Sequence, residues 1–337
     1  MLAAPSPLWA VAIAVLSLLA PAPVAAVSPI NPSLCHCYLT NGPTARYFAN
    51  HKFFDFRNIA NPRTPPPIND RAGATNAPIT HAYFNSTNFT STWSVQAWVG
   101  GQSDSTVYNT YSKNDVFISA NTDSNPSSRT YLSLRTYRHP AGNFQSSAEV
   151  QSISASYQYV SMRMYARTRG ASGAVAAMFT YRGGATDADV QEADLEILTR
   201  DPTNQIHYTN QPSTANGESR PNATNQVTIS GAWTSWRTHR YDWTPSSSDW
   251  YVDGTRVNSN SYQVPRDPAT LLFNTWSDGG SWSGVMASGQ QAEMDIQWIE
   301  IIYNNTGEPS RFAHCANVCS LDLSSQPGVP VLVSSGP

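Results

Sequence analysis

The feature that most constrains the fold is a run of five residues near the middle of the chain, Glu192-Ala193-Asp194-Leu195-Glu196. Carboxylates alternate there with small or apolar residues, and this is the period of a β-strand, in which successive side chains point to opposite faces. On a strand the three acids would share one face, where they repel each other and gain nothing from packing. The row therefore predicts a functional site.

The same acidic spacing would also fit one face of a solvated helix. The flanking segments 171–181 and 205–210 favour strands, because they are short, rich in apolar, β-branched and aromatic residues, and bounded by Gly, Pro, Asn and Asp. Segments of the same character follow at 236–244, 250–252, 270–276 and 294–303. Without strand–helix alternation or repeats, the chain is expected to form one large all-β sandwich or barrel.

The acidic row suits one kind of chemistry. Two carboxylates that flank a bond, with a third that keeps their pKa values apart, are the equipment of glycoside hydrolysis. At ~3.3 Å per residue, the Cα atoms of Glu192 and Glu196 would lie ~13 Å apart. Converging side chains would reach the ~5–5.5 Å separation of retaining enzymes, whereas tips that do not converge would leave the wider inverting gap. The spacing allows retention without requiring it.

The N-terminal segment of the chain predicts that the protein is exported. Residues 8–20 form an apolar run too short to span a bilayer, and Val24-Ala25-Ala26 is a small-residue cleavage pattern. We therefore expect a secretory signal peptide at 1–26, a single catalytic domain at 27–320 and a Ser/Pro-rich disordered tail at 321–337. The mature protein is expected to be secreted and extracellular, with association to a cell wall as a further expectation.

Four cysteines lie near the two ends of the chain, Cys35 and Cys37 at one and Cys315 and Cys319 at the other. Four cysteines allow three pairings. A bridge between Cys35 and Cys37 would close a very small, strained ring, so two bridges between the N- and C-terminal segments are favoured. A metal site that includes His36 is the alternative, disfavoured because the thiols of secreted chains oxidise.

Four Asn-x-Ser/Thr sites would carry glycans if they are exposed in a eukaryotic secretory pathway: Asn85, Asn88, Asn222 and Asn304. The formal net charge of −3 and the lack of a basic run give no electrostatic case for a nucleic-acid partner. After removal of the signal no apolar stretch of membrane length remains, so no membrane partner is expected. We expect a monomer without a cofactor or metal ligands, and nothing in the sequence indicates a structural calcium ion.

Several ordered blocks make the chain resemble glycoside hydrolase family 16, which includes lichenases, laminarinases and cell-wall transglycosylases. The residues at 192–196 match the family's Glu-x-Asp-x-Glu signature. The segments at 173–181, 238–245, 249–254, 273–276, 281–284 and 294–303 resemble the strands and loops around it. The resemblance covers roughly residues 150–305. It implies a two-sheet antiparallel jelly-roll sandwich of the concanavalin A-like lectin/glucanase type, with a long concave cleft.

The resemblance also implies roles for the acidic row. Glu192 would be the nucleophile, Glu196 the general acid and then base, and Asp194 would orient the nucleophile. Two positions depart from the family pattern: Gln191 stands where many members carry Asp, and Ala193 where a larger apolar residue is usual.

Aromatic side chains are expected to bind the sugar rings, since tryptophan offers a flat apolar surface. Trp276 and Trp282 are the leading candidates, and Tyr208 and Asn210 are weaker ones because the alignment of their strand is uncertain by one residue. Three other tryptophans are expected in the core: Trp243, Trp250 and Trp298.

The expected activity is that of a secreted retaining endo-acting glycosidase, with a β-glucan polysaccharide as its partner. A cell-wall glucan transglycosylase would use the same site with a sugar hydroxyl in place of water, and the sequence does not separate the two. A non-catalytic glucan-binding lectin on the same fold is disfavoured, because both Glu192 and Glu196 are present. The linkage acted on stays open.

Overall fold

The computed structural model describes residues 28–100, 107–141, 143–306 and 315–335, so the expected signal peptide lies outside the described residues. The helices in this part of the chain are short. The α-helices are α1, Arg71–Thr75, and α2, Thr87–Thr90. The 3-10 helices are Pro32–Leu34, Ala82–Asn85, Lys113–Asp115 and Asp187–Asp189. None of the described helices is long and apolar enough to cross a membrane.

Strands make up most of the regular structure. The first eleven are β1 Cys37–Leu39, β2 Tyr47–Phe48, β3 Asn50–Asp55, β4 Trp93–Val95, β5 Trp98–Val99, β6 Tyr108–Tyr111, β7 Val116–Ala120, β8 Thr130–Arg138, β9 Phe144–Ser152, β10 Tyr157–Gly170 and β11 Val175–Arg182. The others are β12 Gln191–Leu198, β13 Gln205–Gln211, β14 Thr214–Ala215, β15 Glu218–Ser219, β16 Thr224–Thr228, β17 Arg237–Trp243, β18 Ser248–Val252, β19 Thr255–Asn260, β20 Thr270–Trp276, β21 Gln291–Asn305, β22 Asn317–Ser320 and β23 Val331–Ser335.

Two antiparallel sheets face each other across one core. The cleft sheet has the order β16-β13-β12-β11-β20-β9-β4. The outer sheet runs β19-β18-β17-β10-β21, and β21 then pairs with β3 along one half and with β8 along the other. This arrangement confirms the all-β, two-sheet sandwich expected from the sequence.

Strict alternation along the central strands separates core from surface. On β12, Ala193, Leu195 and Ile197 are buried between the sheets, so the alternate acidic residues must lie on the open face of the cleft sheet. Trp243 and Trp250 are fully buried in the same core, as expected, and Trp298 is 8% exposed. The strand predictions at 236–244, 250–252, 270–276 and 294–303 correspond to β17, β18, β20 and β21.

The chain ends meet in a small four-stranded sheet with the order β2-β1-β22-β23. Two disulfides, Cys35–Cys319 and Cys37–Cys315, join these ends, which is the arrangement favoured from the sequence. In the chain-entropy model the first bridge stabilises the folded state by about 6 kcal/mol, because it closes a loop with a sequence separation of 284 residues. The second bridge then closes only a small additional ring and adds much less.

The prediction of a disordered tail at 321–337 is wrong for residues 321–335. Strand β23 pairs with β22, and the isolated bridge Pro29–Val331 ties it to the N-terminal segment. The Asp322 carboxylate is held by the Arg163 and Arg240 guanidinium groups, at 2.8 and 2.9 Å. The Ser/Pro-rich composition of this segment therefore reflects turns around a paired strand. The sequence did not reveal this, because the arginines that pair with Asp322 lie far away along the chain.

Candidate active site

The three acids of the central row lie side by side on the open face of β12. Strand β12 is flanked by β11 and β13, in a register that places Tyr181 and Gln211 beside Glu192 and His207 beside Glu196. Asp194 is 3% exposed and Glu196 8%, whereas Glu192 is partly exposed. The strand geometry inferred from the sequence is therefore present, with all three carboxylates on one face.

These carboxylates form part of the floor of a cleft of about 800 Å³. Its lining residues come from β5, β6, β9, β11, β12, β13, β16, β20 and adjoining loops: Gln96, Trp98, Tyr111, Glu149, Gln151, Ala177, Phe179, Tyr181, Glu192, Asp194, Glu196, Thr209, Gln211, Ser213, Thr224, Leu272, Asn274, Trp276 and Trp282. Four of these residues are carboxylic acids, and none of the described lining residues is a lysine or an arginine. Aromatic rings and hydrogen-bonding side chains therefore surround a group of uncompensated acids.

Burial moves the titration of Glu196 towards neutral pH. Desolvation raises the pKa of the Glu196 carboxyl from 4.5 to about 7, although a hydrogen bond opposes the shift. That bond comes from Trp282, whose indole Nε1–H donates to Oε1 of Glu196 at 3.0 Å. A carboxylic acid with a pKa near 7 is suited to general acid–base catalysis.

Glu192 and Asp194 share a hydrogen bond and titrate together. Burial and the neighbouring acids raise the pKa of Asp194 well above its usual range, and the bond to Glu192 raises it further. Burial also raises the pKa of Glu192, from 4.5 to about 7, although the hydrogen bond with Asp194 opposes the shift. Asp194 therefore holds the shared proton and donates it towards Glu192, which ionises first. The Gln211 amide donates to the other side of Asp194, at 3.2 Å from Oδ2.

A fourth acid, Glu149, faces the cleft from β9 and was not singled out from the sequence. Its Oε1 accepts a hydrogen bond from Trp98 Nε1 at 3.2 Å, and its Oε2 accepts one from Asn274 Nδ2 at 3.4 Å. Burial raises the pKa of this carboxyl. Trp98 is itself 42% exposed and stacks on Tyr111 with ring centroids 4.2 Å apart. Trp98 therefore presents a supported aromatic surface at the cleft.

The structure places both predicted tryptophans, Trp276 and Trp282, in the cleft lining. The prediction for Tyr208 and Asn210 is wrong. Tyr208 is fully buried in the core against Trp250, with ring centroids 5.2 Å apart. Asn210 is also fully buried and donates to the backbone oxygen of Tyr262 at 2.8 Å.

The error is one of strand parity. Because Glu196 pairs with His207, the residues of β13 that face the cleft are Thr209 and Gln211, and their neighbours point inward. One of the missed cleft residues, Asn274, could have been predicted from the sequence, because it precedes the predicted Trp276 by two positions on one strand. Trp98 and Glu149 carried no such signal.

His207 supports the Trp282–Glu196 contact from behind. Its ring lies edge-on to the Trp282 indole, with centroids 5.0 Å apart, and its Nε2 lies 2.7 Å from Oδ2 of Asp201. The turn between β12 and β13 also holds the loop that carries Trp282, since Arg200 Nη1 donates to the Ser281 backbone oxygen at 2.6 Å. This one turn therefore positions both His207 and the Trp282 loop next to Glu196.

The described residues contain no group of three or more His, Cys, Asp or Glu side chains arranged to hold a metal ion. Two glutamates with pKa values raised to about 7 lie on a single strand, together with an aspartic acid that is hydrogen-bonded to the first of them and has a pKa well above its usual range. Such a set can perform nucleophilic attack and proton transfer at an acetal carbon.

Comparison with known proteins places this site in a known context. A family model described as Glycosyl hydrolases family 16 matches residues 85–300, more than half of the chain. A beta-glucanase of Paenibacillus polymyxa is 26% identical over 227 residues, which are 66% of this chain and 86% of that protein. A beta-glucanase of Bacillus licheniformis is 28% identical over 130 residues, 38% of this chain. That match spans only 51% of the relative's own length.

Solved structures show the same fold. The Bacillus licheniformis beta-glucanase superposes with a TM-score of 0.51 at 24% identity, covering 66% of this chain and 95% of that one. A prokaryotic beta-1,3-1,4-glucanase (lichenase) from a mouse hindgut metagenome gives a TM-score of 0.52 at 16% identity. It covers 76% of this chain and 99% of its own. At these identities the likeness shows the sandwich fold.

Proposed function

The chain belongs to glycosyl hydrolases family 16, and from this membership and the acidic row we propose that it is a secreted, retaining endo-β-glucanase. The observation that carries the proposal is the placement of Glu192, Asp194 and Glu196 together on the floor of an open, aromatic-lined cleft. An open groove accepts a polymer along its length, which suits cleavage within a chain. The named relatives, which are beta-glucanases, support β-glucan as the substrate class.

The reaction would proceed in two steps. The ionised carboxylate of Glu192 attacks the anomeric carbon while the glycosidic C–O bond breaks, and Glu196 gives its proton to the leaving oxygen. Water then attacks the glycosyl-enzyme ester, Glu196 takes a proton from that water, and Glu192 leaves as the carboxylate. Asp194 keeps its proton throughout and holds Glu192 in place by their hydrogen bond.

The test compares purified wild type with Glu192→Gln on mixed-linkage β-glucan, laminarin and xyloglucan, following chain-length distributions over time. Glu218→Gln is the matched control, because Glu218 is an exposed residue of β15. We expect wild type and the control to shorten at least one polymer, and Glu192→Gln to lose at least about 10³-fold in rate. If wild type cleaves none of the three, or if Glu192→Gln remains fully active, the proposal fails.

The same experiment decides between hydrolysis and transglycosylation. A transglycosylase would form the same intermediate but pass the glycosyl group to a sugar hydroxyl. Products longer than the starting polymer, in the presence of an acceptor oligosaccharide, would show this. The anomeric configuration of the first products, read by NMR, separates retention from inversion.

The two disulfides are compatible with export. For glycosylation, Asn85, Asn88 and Asn222 are exposed, whereas Asn304 is partly buried and its Oδ1 accepts a hydrogen bond from the Ala49 backbone at 2.9 Å. In a eukaryotic secretory host we expect the first three sites to be occupied more fully than Asn304. Site-by-site mass spectrometry of the secreted protein measures this.

A further inference from the structure

A second cavity, of about 920 Å³, adjoins the cleft at the end of the cleft sheet where β12 begins. Its lining includes three arginines and two aspartates, Arg182, Arg220, Arg266, Asp189 and Asp267. We call it the arginine pocket. The cleft and the arginine pocket share Gln211 as a lining residue, so they meet at one wall.

The strand register fixes the pocket's distance from the acidic row. Tyr181 pairs with Glu192 in the cleft, and the next pair along the same two strands, Arg182 with Gln191, lines the pocket. Successive side chains point to opposite faces of a sheet, so Arg182 and Gln191 line the pocket from the other face, and the pocket meets the cleft at Gln211, which pairs with Glu192. Paired residues on neighbouring strands lie ~5 Å apart, so this junction is within roughly one sugar unit of Glu192. A side group on the sugar next to Glu192, or on its neighbour, can therefore reach the pocket.

The two aspartates of the pocket are already engaged by neutral donors. Gln191 Nε2 donates to Asp267 Oδ2 at 2.6 Å. The Thr186 hydroxyl and backbone N–H donate to Asp189 at 2.7 and 3.1 Å. Arg182 lies 3.9 Å from Asp267, and both side chains are about half exposed, so this ion pair is weak.

Arg220 and Arg266 have no carboxylate within 4.0 Å in the part of the chain that the structure describes. The Arg220 guanidinium donates to the neutral amide oxygen of Gln263. Arg266 is exposed at the rim of the pocket, and its backbone N–H donates a hydrogen bond to Oε1 of Gln191 at 2.7 Å. The pocket therefore carries surplus positive charge, and a guanidinium is shaped to bind a carboxylate through two parallel hydrogen bonds.

The adjoining cleft has the opposite character, because its lining has four acids and no described cation. A polymer with acidic groups along its whole backbone would meet those acids, whereas a neutral backbone would not. We propose that the arginine pocket binds a carboxylate-bearing side group on an otherwise neutral glucan, at or next to the sugar that reacts with Glu192. This inference rests on the proposed function and names the substrate class of the same site more closely.

The experiment uses the full chain and three β-glucan preparations from one parent polymer: unsubstituted, sparsely carboxymethylated, and hydroxyethylated at the same density. The hydroxyethyl polymer controls for the bulk of a side group. At low ionic strength we expect kcat/KM of wild type to be about tenfold higher on the carboxymethyl than on the hydroxyethyl polymer. We expect the preference to shrink at high salt, because exposed charges are screened.

The double variant Arg220→Gln/Arg266→Gln should lose this preference while its rate on unsubstituted glucan stays unchanged. Arg129→Gln is the control, since Arg129 is an exposed residue in the loop before β8. Equal rates of wild type on the two substituted polymers, or a preference that survives in the double variant, would overturn the inference while cleavage of the unsubstituted polymer upholds the proposed function. If wild type cleaves none of the three, the proposed function fails. Calorimetric titration of the two substituted polymers onto wild type and the double variant then decides whether the pocket binds a carboxylate. Equal affinities of wild type for the two polymers would overturn the inference.

Discussion

Buried carboxylates lie on both faces of the sandwich, but the side chains that pair with them differ between the two faces. On the outer sheet, Asp295 accepts from Arg167 at 3.0 Å and from Arg169 at 2.8 Å, and Asp322 is held by two other arginines. On the cleft sheet the acids face one another, and their side-chain donors among the described residues are amides and indoles. Paired charges on the outer face hold strands and the C-terminal segment together. Unpaired acids in the cleft are costly to the fold, and the chemistry proposed for them accounts for that cost.

The contrast is tested most strongly by Glu196→Gln. We expect activity to fall by about 10²–10⁴-fold, because the leaving group loses its proton donor. We also expect the variant to be more stable than wild type at pH 8. The folded pKa of Glu196 is raised from 4.5 to about 7, so ionisation favours the unfolded chain as pH rises through this window.

We expect Glu196→Gln to raise the free energy of unfolding by up to about 3 kcal/mol at pH 8 and by close to zero at pH 4. This follows from about 1.4 kcal/mol per unit of pKa shift. Urea unfolding at the two pH values measures it. A variant that is less stable than wild type at pH 8 would show that this carboxyl also has a structural role, against the contrast between the faces.

On the outer face, Asp322→Asn should have the reverse pattern. It leaves the Arg163 and Arg240 guanidinium groups without their shared carboxylate, and breaking a buried pair costs about 3–5 kcal/mol. Activity at a temperature where the variant is folded should equal that of wild type, since the cleft is untouched. Unfolding and glucan cleavage are measured on one preparation, and Asp187→Asn, at an exposed residue outside both cavities, is the control for stability.

A third environment, the core between the sheets, should respond to pH in the opposite sense to the cleft. Burial lowers the pKa of His239 from 6.5 to about 4. The unfolded chain therefore takes up a proton that the folded chain refuses as pH falls from 6.5 to 4, and stability is lost over that window. The full loss is about 3 kcal/mol. In His239→Met the slope of stability against pH should flatten there, and an unchanged slope would contradict the assignment.

The smallest effect is expected from Trp282→Phe, which keeps an aromatic ring beside His207 but removes the indole N–H. That N–H favours the ionised form of Glu196, so its loss should raise the Glu196 pKa. We expect the alkaline limb of the kcat/KM profile to lie near pH 7 in wild type, because the pKa of Glu196 is raised to about 7, and to move upward by about one unit in the variant. A profile that keeps its alkaline limb while KM alone changes would mean that Trp282 only binds sugar.

Much of the site could be predicted from the sequence because it lies on one strand. Alternation of acids with Ala193 and Leu195 was enough to place the three carboxylates on one face, whatever the neighbouring strands do. The paired cysteines likewise indicated that the ends meet, because the alternative ring is too small. The prediction failed at Tyr208 and Asn210, where the outcome depends on how the turn at 199–204 sets the register of β13 against β12.

The sequence by itself determined the all-β class, the acidic row and the joining of the chain ends, since each follows from local alternation or from ring size. The tertiary structure alone decided which face of β13 meets the cleft and that Trp98 and Glu149 lie close to each other there. It also decided that Arg182, Arg220 and Arg266 line one pocket, and that Asp322 is clamped from the outer sheet. These contacts join residues far apart in sequence, and only the packing of two complete sheets brings them together.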